Sequence, residues 1–407
     1  MSSSSNIDMT HSTASVQQSC WFLSPQRRLV GHGAVLSSME LSGMTWQEQI
    51  ATMLDLARQR GGPEIVMGAI PFWSDCPAAL GLPERISELE PLEDLLAPQL
   101  QRSVPPPLPA TKVSGDDRVL YEQRINKVLA LIERGLVKNL VVSREVSYEA
   151  VEDIDAQTVI GRLQLCHPAS YVFSVPLSNM GRSGVFLGAS PELLVSRHGD
   201  DVRAIPLAGT IAAADDPSRN AQRMKTLKRS EKDRLEHEFT AQAVVRALSK
   251  FCDDVVCPTE PHVIQAGPVN HLASPIMGKI RAPDLSTIDL VTALHPTPAV
   301  GGVPQLHVQQ RIRDIEGRPR GLYAGMVGWC DADGNGEWAL SIRCAEIAGA
   351  RATLFAGGGI VSGSVPHKEY EETETKLGTM LSALNLSPLA VQTSAIDALQ
   401  ALEGRYG

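Results

Sequence analysis

Short β-rich runs fall in two groups along this chain, and a long helical stretch follows each group. NLVVSREV, YVFSV, GVFLG and ELLVSRHGDDVRAIPLAG make the first group. GLYAGMVGWC, EWALSIRCAEI and RATLFAGGG make the second, separated by the turn-rich DADGNG and AGA as hairpins are. Residues 218 to 249 read as one helical tract, and a further helix is expected over 367 to 384. Grouped strands with long helices between them predict an α/β (α+β) chain built on one large antiparallel-rich core. No period of about 20 to 50 residues recurs, which excludes solenoids and propellers.

The first nineteen residues, MSSSSNIDMTHSTASVQQS, hold neither a basic cluster nor an apolar segment. They read as a Ser-rich disordered tail, not a secretory signal. Residues 20 to 110 are expected to form the N-terminal part of the fold. They end in VPPPLPA (104–110), whose prolines argue against helix and central strand alike. DDRVLYEQRINKVLALIERG then predicts an amphipathic helix, with Val119, Ile125, Val128, Leu129 and Ile132 on its apolar side and Gly135 at its end. The core is placed at 111–388, and 389–407 is a C-terminal extension carrying a last amphipathic piece, AIDALQALEG. A net charge of −9 with no Lys/Arg run speaks against a nucleic-acid partner. No apolar run is long enough for a membrane span. Seven scattered cysteines without a CxxC suit a reducing cytoplasm better than a disulfide framework.

PHKEYEETETK (366–376) packs four glutamates and two lysines into eleven positions with no apolar stripe. At about 100° per residue, Glu369, Glu372 and Lys376 share one helix face, and Glu371 and Glu374 the opposite one. SEKDRLEHE (230–238) sets Ser230, Asp233, Glu236 and His237 on one side of another helix. Either stretch alone reads as a solvated face. Facing one another, the two carboxylate pairs repel unless a cation lies between them, and an all-oxygen set suits magnesium. DADGNGE (331–337) matches the start of an EF-hand loop, but Ile342 stands where its bidentate glutamate belongs, so it is read as a hairpin turn. AGGGIVSG (356–363) reads either as a sharp turn or as a loop that accepts a carboxylate.

PLAGT (206–210), SEKDRLEHE, HPTPAVGG (295–302), GMVGWCDADGNGEWALSIRCAE (325–346), LFAGGGIV (354–361) and EYEETETKLGTM (369–380) resemble the chorismate-utilising enzymes. That family comprises the isochorismate, salicylate, anthranilate and aminodeoxychorismate synthases. The motifs follow in order over about residues 113 to 386, nearest to the isochorismate synthases of siderophore and menaquinone pathways. The resemblance implies two large packed antiparallel sheets surrounded by helices, a cytoplasmic enzyme acting on chorismate, and a monomer or weak dimer. It implies Mg²⁺ held by Glu236 and Glu372, with Asp233 and Glu369 holding metal-bound waters. Glu192, in GASPELL, matches the general acid that protonates the departing ring hydroxyl, and Arg343 the residue that binds a substrate carboxylate. Gly209, Thr210, His271, Tyr323, Gly357 and Lys376 fall on substrate-lining positions. Ala299 matches the isochorismate synthases, where the other branches typically carry threonine.

One position departs from the family. Its water-activating members have lysine at the start of K-V-[VI]-L-S-R, whereas VKNLVVSREV sets Asn139 there, with Lys138 one residue earlier. A one-residue step along a strand turns a side chain to the other face, and an amide is no base at neutral pH. The expectations are a bulge that brings Lys138 in as substitute base, an impaired or altered catalyst, or ammonia as nucleophile.

Overall fold

The computed structural model describes residues 18–89, 107–305 and 308–388. The Ser-rich tail up to residue 17 and the extension 389–407 lie outside the described residues. Eight helices are described: α1 (Trp46–Arg60), α2 (Arg118–Glu133), α3 (Ala156–Cys166), α4 (Pro217–Arg229), α5 (Glu231–Leu248), α6 (Thr287–Leu294), α7 (Val308–Glu316) and α8 (Pro366–Leu384). None is long and apolar enough to cross a membrane.

Two large sheets carry the architecture. Along its main path the first runs from Leu386–Pro388 through Leu108–Gly115, Asn139–Ala150, Arg351–Val361, Cys344–Ala348, Val185–Ser190, Tyr171–Pro176, Ser19–Leu23 and Arg28–His32 to Arg85–Glu88. The second has nine strands, with Leu193–His198, Gly336–Leu340 and Met326–Asp331 at its centre. Leu207–Ala212, Val269–Ala273 and His262–Ala266 form a third, small sheet. Pairing is antiparallel throughout except for the short parallel match of Leu386–Pro388 with Leu108–Ala110.

The main core contains Phe22, Leu29, Met67, Phe173, Phe186, Trp329 and Trp338. A second cluster joins Val159 and Leu163 of α3 to Leu377, Met380 and Leu384 of α8 over Leu187 and Leu354. Residues before and after position 110 supply strands to both large sheets, so the N-terminal part is woven into the same fold.

Three local expectations are corrected. Leu108–Gly115 is a strand with neighbours on both sides, although Pro109 lies within it. Pro109 is tolerated because the ladder uses its carbonyl, which accepts from Val151 N at 3.1 Å, and not the missing N–H. The 218–249 tract is broken: Ser230 has extended backbone (φ −70°, ψ 115°), closing α4 and capping α5 through Asp233 N. In α2, Ile125 and Val128 are buried as expected, but Val119 is 63% exposed while Tyr121 and Arg124 turn inward. DADGNG is a hairpin turn, with Asp331 Oδ1 accepting from the amides of Asp333 (3.0 Å) and Asn335 (2.8 Å).

A buried ion pair ties the helix layer to the strand Asn139–Ala150. Glu316, at the end of α7, and Arg320 meet at 2.6 Å with both side chains fully covered. Arg320 also donates to the carbonyls of Val300 (2.6 Å) and Val141 (2.9 Å), and Glu316 accepts from Ser143 N at 2.7 Å. Removing one partner strands the other charge in the interior. Arg320→Ala is therefore expected to cost about 3–5 kcal/mol, measured as a lower urea midpoint. An unchanged midpoint would show that the pair is not structural.

Candidate active site

The strand Arg351–Val361 passes through the middle of the site and bears three successive glycines. The sequence reading of AGGG as a turn or loop is corrected here, because Gly357–Gly359 are regular strand residues paired with Ser143, Val142 and Val141. Their missing side chains admit carboxylates against bare backbone. A methyl at 359 would run into Glu236 Oε1, and one at 358 would lie 3.4 Å from Glu369 Oε2 and 4.0 Å from Glu372 Oε1. Thus α5 and α8 deliver Glu236, Glu369 and Glu372 to one short stretch of strand, as the two acidic motifs lead one to expect.

Two lysines partly neutralise this charge. Lys232 Nζ pairs with Glu369 Oε1 and Lys376 Nζ with Glu372 Oε1, each at 2.7 Å. Burial pushes Glu236 up to about 8 despite the pull of Lys232. Burial and the neighbouring Glu372 raise Glu369. Glu372 stays below the ordinary range, since Lys376, Lys232 and Arg343 outweigh its burial. Asp233 Oδ1 accepts from Thr210 N at 3.1 Å, pinning the start of α5 to the small sheet. Gly209 beside it has φ +70°, and a Cβ there would lie 2.8 Å from that of Asp233, so only glycine fits.

An enclosed cavity opens beside the carboxylates, lined among others by Glu192, Thr210, Glu236, His271, Ala299, Tyr323, Arg343, Gly357 and Lys376. Glu192 follows Pro191 at the edge of a strand and is 4% exposed, where a strand-start glutamate is ordinarily in solvent. Burial lifts its carboxyl to about 8, partly offset by a 3.3 Å bond from Leu207 N and by Lys376 and Arg343. Arg343 sits at φ +52°, a backbone strain that a functional position tolerates. It donates to His271 Nε2 at 2.8 Å. A guanidinium has no lone pair to offer, so His271 carries its proton on Nδ1, which donates to Gly209 O at 3.1 Å. Burial and Arg343 hold His271 neutral, its pKa well below the ordinary value. Burial lowers Arg343 only to about 10, so it remains a cation. Lys376 reaches Gly357 O at 2.9 Å from the other wall.

The remaining two positions lie elsewhere. Lys138 is exposed, with Nζ 5.9 Å from the Phe239 ring centroid, and does not line the cavity. The strand runs without a bulge through 139–149 against Arg351–Val361, so nothing turns Lys138 inward. The substitute-base expectation for Lys138 is corrected on that ground. Asn139 is fully buried behind the lining residue Val141. Its Nδ2 donates to Pro298 O at 3.1 Å, and its Oδ1 has no partner among the described residues.

The donor set fits a hard divalent cation. Its ligands are oxygens alone, and Glu369 Oε2, buried near the Ser364 hydroxyl, makes no hydrogen bond of ordinary length. Among the described residues no group of three or more His, Cys, Asp or Glu side chains is arranged to hold a metal ion by itself.

A buried acid, a buried arginine and a carboxylate cluster around one cavity define an enzyme site for a small, multiply charged anion. The chain belongs to the chorismate binding enzyme family, whose model matches residues 82–385. It is 35% identical over 385 residues to isochorismate synthase DhbC of Bacillus subtilis, covering 91% of this chain and 94% of that one. Isochorismate synthase EntC of Escherichia coli K12 is 35% identical over 374 residues, covering 90% and 94%. Among solved structures, DhbC of Bacillus anthracis superposes with a TM-score of 0.80 at 34% identity, over 91% of this chain and 97% of that one.

Gly359→Ala is expected to displace the Glu236 carboxylate and, if this carboxylate helps hold a divalent cation, to weaken its binding about ten- to hundredfold, read by titration calorimetry. Wild-type affinity in that variant would show that Glu236 is not a ligand.

Proposed function

We propose that the protein is an isochorismate synthase, a magnesium-dependent isomerase that converts chorismate to isochorismate for siderophore or menaquinone biosynthesis. The observation that carries this reading is Glu192: a carboxyl kept protonated near neutral pH, in one cavity with Arg343, Lys376 and Ala299. The family membership supports the substrate, and the names of the relatives support the product.

Glu236 and Glu372 would hold the Mg²⁺, flanked one turn earlier by Asp233 and Glu369, and the ion would neutralise a substrate carboxylate. Arg343, its guanidinium oriented by His271, binds the other carboxylate as a planar fork. Lys376, Thr210, Tyr323, Gly209 and Gly357 line the ring. Glu192 gives its proton to the hydroxyl, which leaves as water, while a second water adds at another ring carbon and the double bonds shift; the proton this second water sheds passes to solvent, from which Glu192 is reprotonated. The overall change is an isomerisation without a redox step. Positioning and charge neutralisation in a covered site supply most of the acceleration. Ala299 brings no hydroxyl to its own stretch of the cavity wall, in keeping with release of isochorismate.

A second reading rests on Asn139. With Lys138 outside the cavity and an amide in the lysine's place, no amine at that position can, in its neutral form, take a proton from water. Ammonia brings its own lone pair and needs no such base. An ammonia-dependent aminochorismate synthase, or a chorismate-binding homologue of low turnover, follows from this.

Incubation of the protein with chorismate and Mg²⁺, with and without ammonium, separates the readings by product mass. Isochorismate without ammonium is expected; an amino product alone overturns the first reading. Asn139→Lys is expected to raise isochorismate formation if the missing base limits the rate. Glu192→Gln is expected to lower kcat by about 10²–10⁴. Because Glu192 acts in its protonated form, kcat/KM should fall as pH rises through about 8. A flat profile from pH 6 to 9 would remove Glu192 from the acid role.

A further inference from the structure

The residue after Ser143 in VVSREV is an arginine whose side chain is 1% exposed. Arg144 lies on the strand Asn139–Ala150, on the face covered by α2 and α8. Its guanidinium carbon stands 4.3 Å from the centre of the Tyr370 ring, and Nη2 donates to Glu374. Nε and Nη1 have no partner among the described residues. A covered guanidinium with two donors unmet opposes folding, and an apolar side chain of similar size would pack there at lower cost.

What this arrangement secures is the seat of α8. Tyr370 directly follows Glu369, and Glu374 stands two residues beyond Glu372. The first turn of α8 has no side-chain cap, since Val365 occupies the capping position. Leu377, Met380 and Leu384 seat the later turns of α8 in the second cluster, whereas the first two turns are held chiefly by polar side chains, Lys232 gripping only the tip of Glu369. Arg144 instead grips the opposite flank of the helix from the sheet. The grip continues through Tyr370, whose ring lies 6.1 Å edge-on from that of Tyr121. Tyr121 in turn donates from its hydroxyl to Val142 O at 3.1 Å, two residues from Arg144.

We propose that Arg144 is a positioning residue, a cationic clasp that sets the rotation of α8 and thereby aims Glu369 and Glu372 at Gly358 and Lys376 at the cavity. The proposal rests on the reading of α8 as the helix that holds cation and substrate. Burial of this charge, otherwise unfavourable, is the cost of a fixed helix.

The test uses the full chain with Arg144→Met, which keeps bulk and removes the charge, and follows amide hydrogen exchange without metal. Exchange over residues 366–376 is expected to accelerate at least tenfold while the remaining strands keep wild-type protection and Tm stays equal or rises. Mg²⁺ affinity by calorimetry is expected to fall about tenfold, and Arg144→Lys to recover part of it. Glu374→Ala, altering only the exposed end of the pair, should move the same readouts in the same direction by less. If Arg144→Met does not fold, Arg144→Lys and Glu374→Ala carry the test. Wild-type exchange over 366–376 in the variants that fold overturns the proposal, whatever their Tm. A wild-type protein that binds no Mg²⁺, yet shows the helix loosened by Arg144→Met, would sink the metal reading and leave the clasp standing.

Discussion

Carboxyl groups gathered out of solvent against bare backbone are the condition around which this molecule is organised. Glu236, Glu369 and Glu372 meet at Gly358 and Gly359 because those positions have nothing to exclude them. Carboxylates so placed repel and lose hydration, and two lysines answer only part of that cost. The same confinement accounts for the raised acid at Glu192, the neutral histidine at 271 and the left-handed backbone of Arg343. Each trades local stability for a group fixed in the ionisation state and direction its chemistry requires.

Much of the architecture was readable from periodicity. The apolar runs NLVVSREV and GMVGWC read as strands and are buried on both faces, and DADGNG could only turn; EWALSIRCAEI, which reads as one strand, is split at 341–343 between the two large sheets. The acidic stretches were legible for the opposite reason: charge without an apolar stripe calls for a partner other than the core. Ala299, Glu192 and Arg343 stood out only through the resemblance, since nothing in their immediate neighbours distinguishes a cavity wall from a surface. Structure then supplied their burial.

Other features have no local signature. Pro109 in a paired strand depends on which of its backbone groups the neighbouring strands use. The break at Ser230 is set by a capping bond within a run of good helix formers. Glu316 sits 173 residues from the amide it receives, and Arg144 is 230 from Glu374, so neither contact leaves a spacing to find. For Lys138 and Asn139 the sequence posed the question correctly, and strand register answered it by turning the lysine to solvent.

The interruption at Ser230 has an evolutionary consequence. In an uninterrupted rod, one residue gained or lost upstream would swing every later side chain by about 100°. Here the extended backbone at 230 acts as a swivel, so changes in the length of α4 leave the heading of Glu236 untouched.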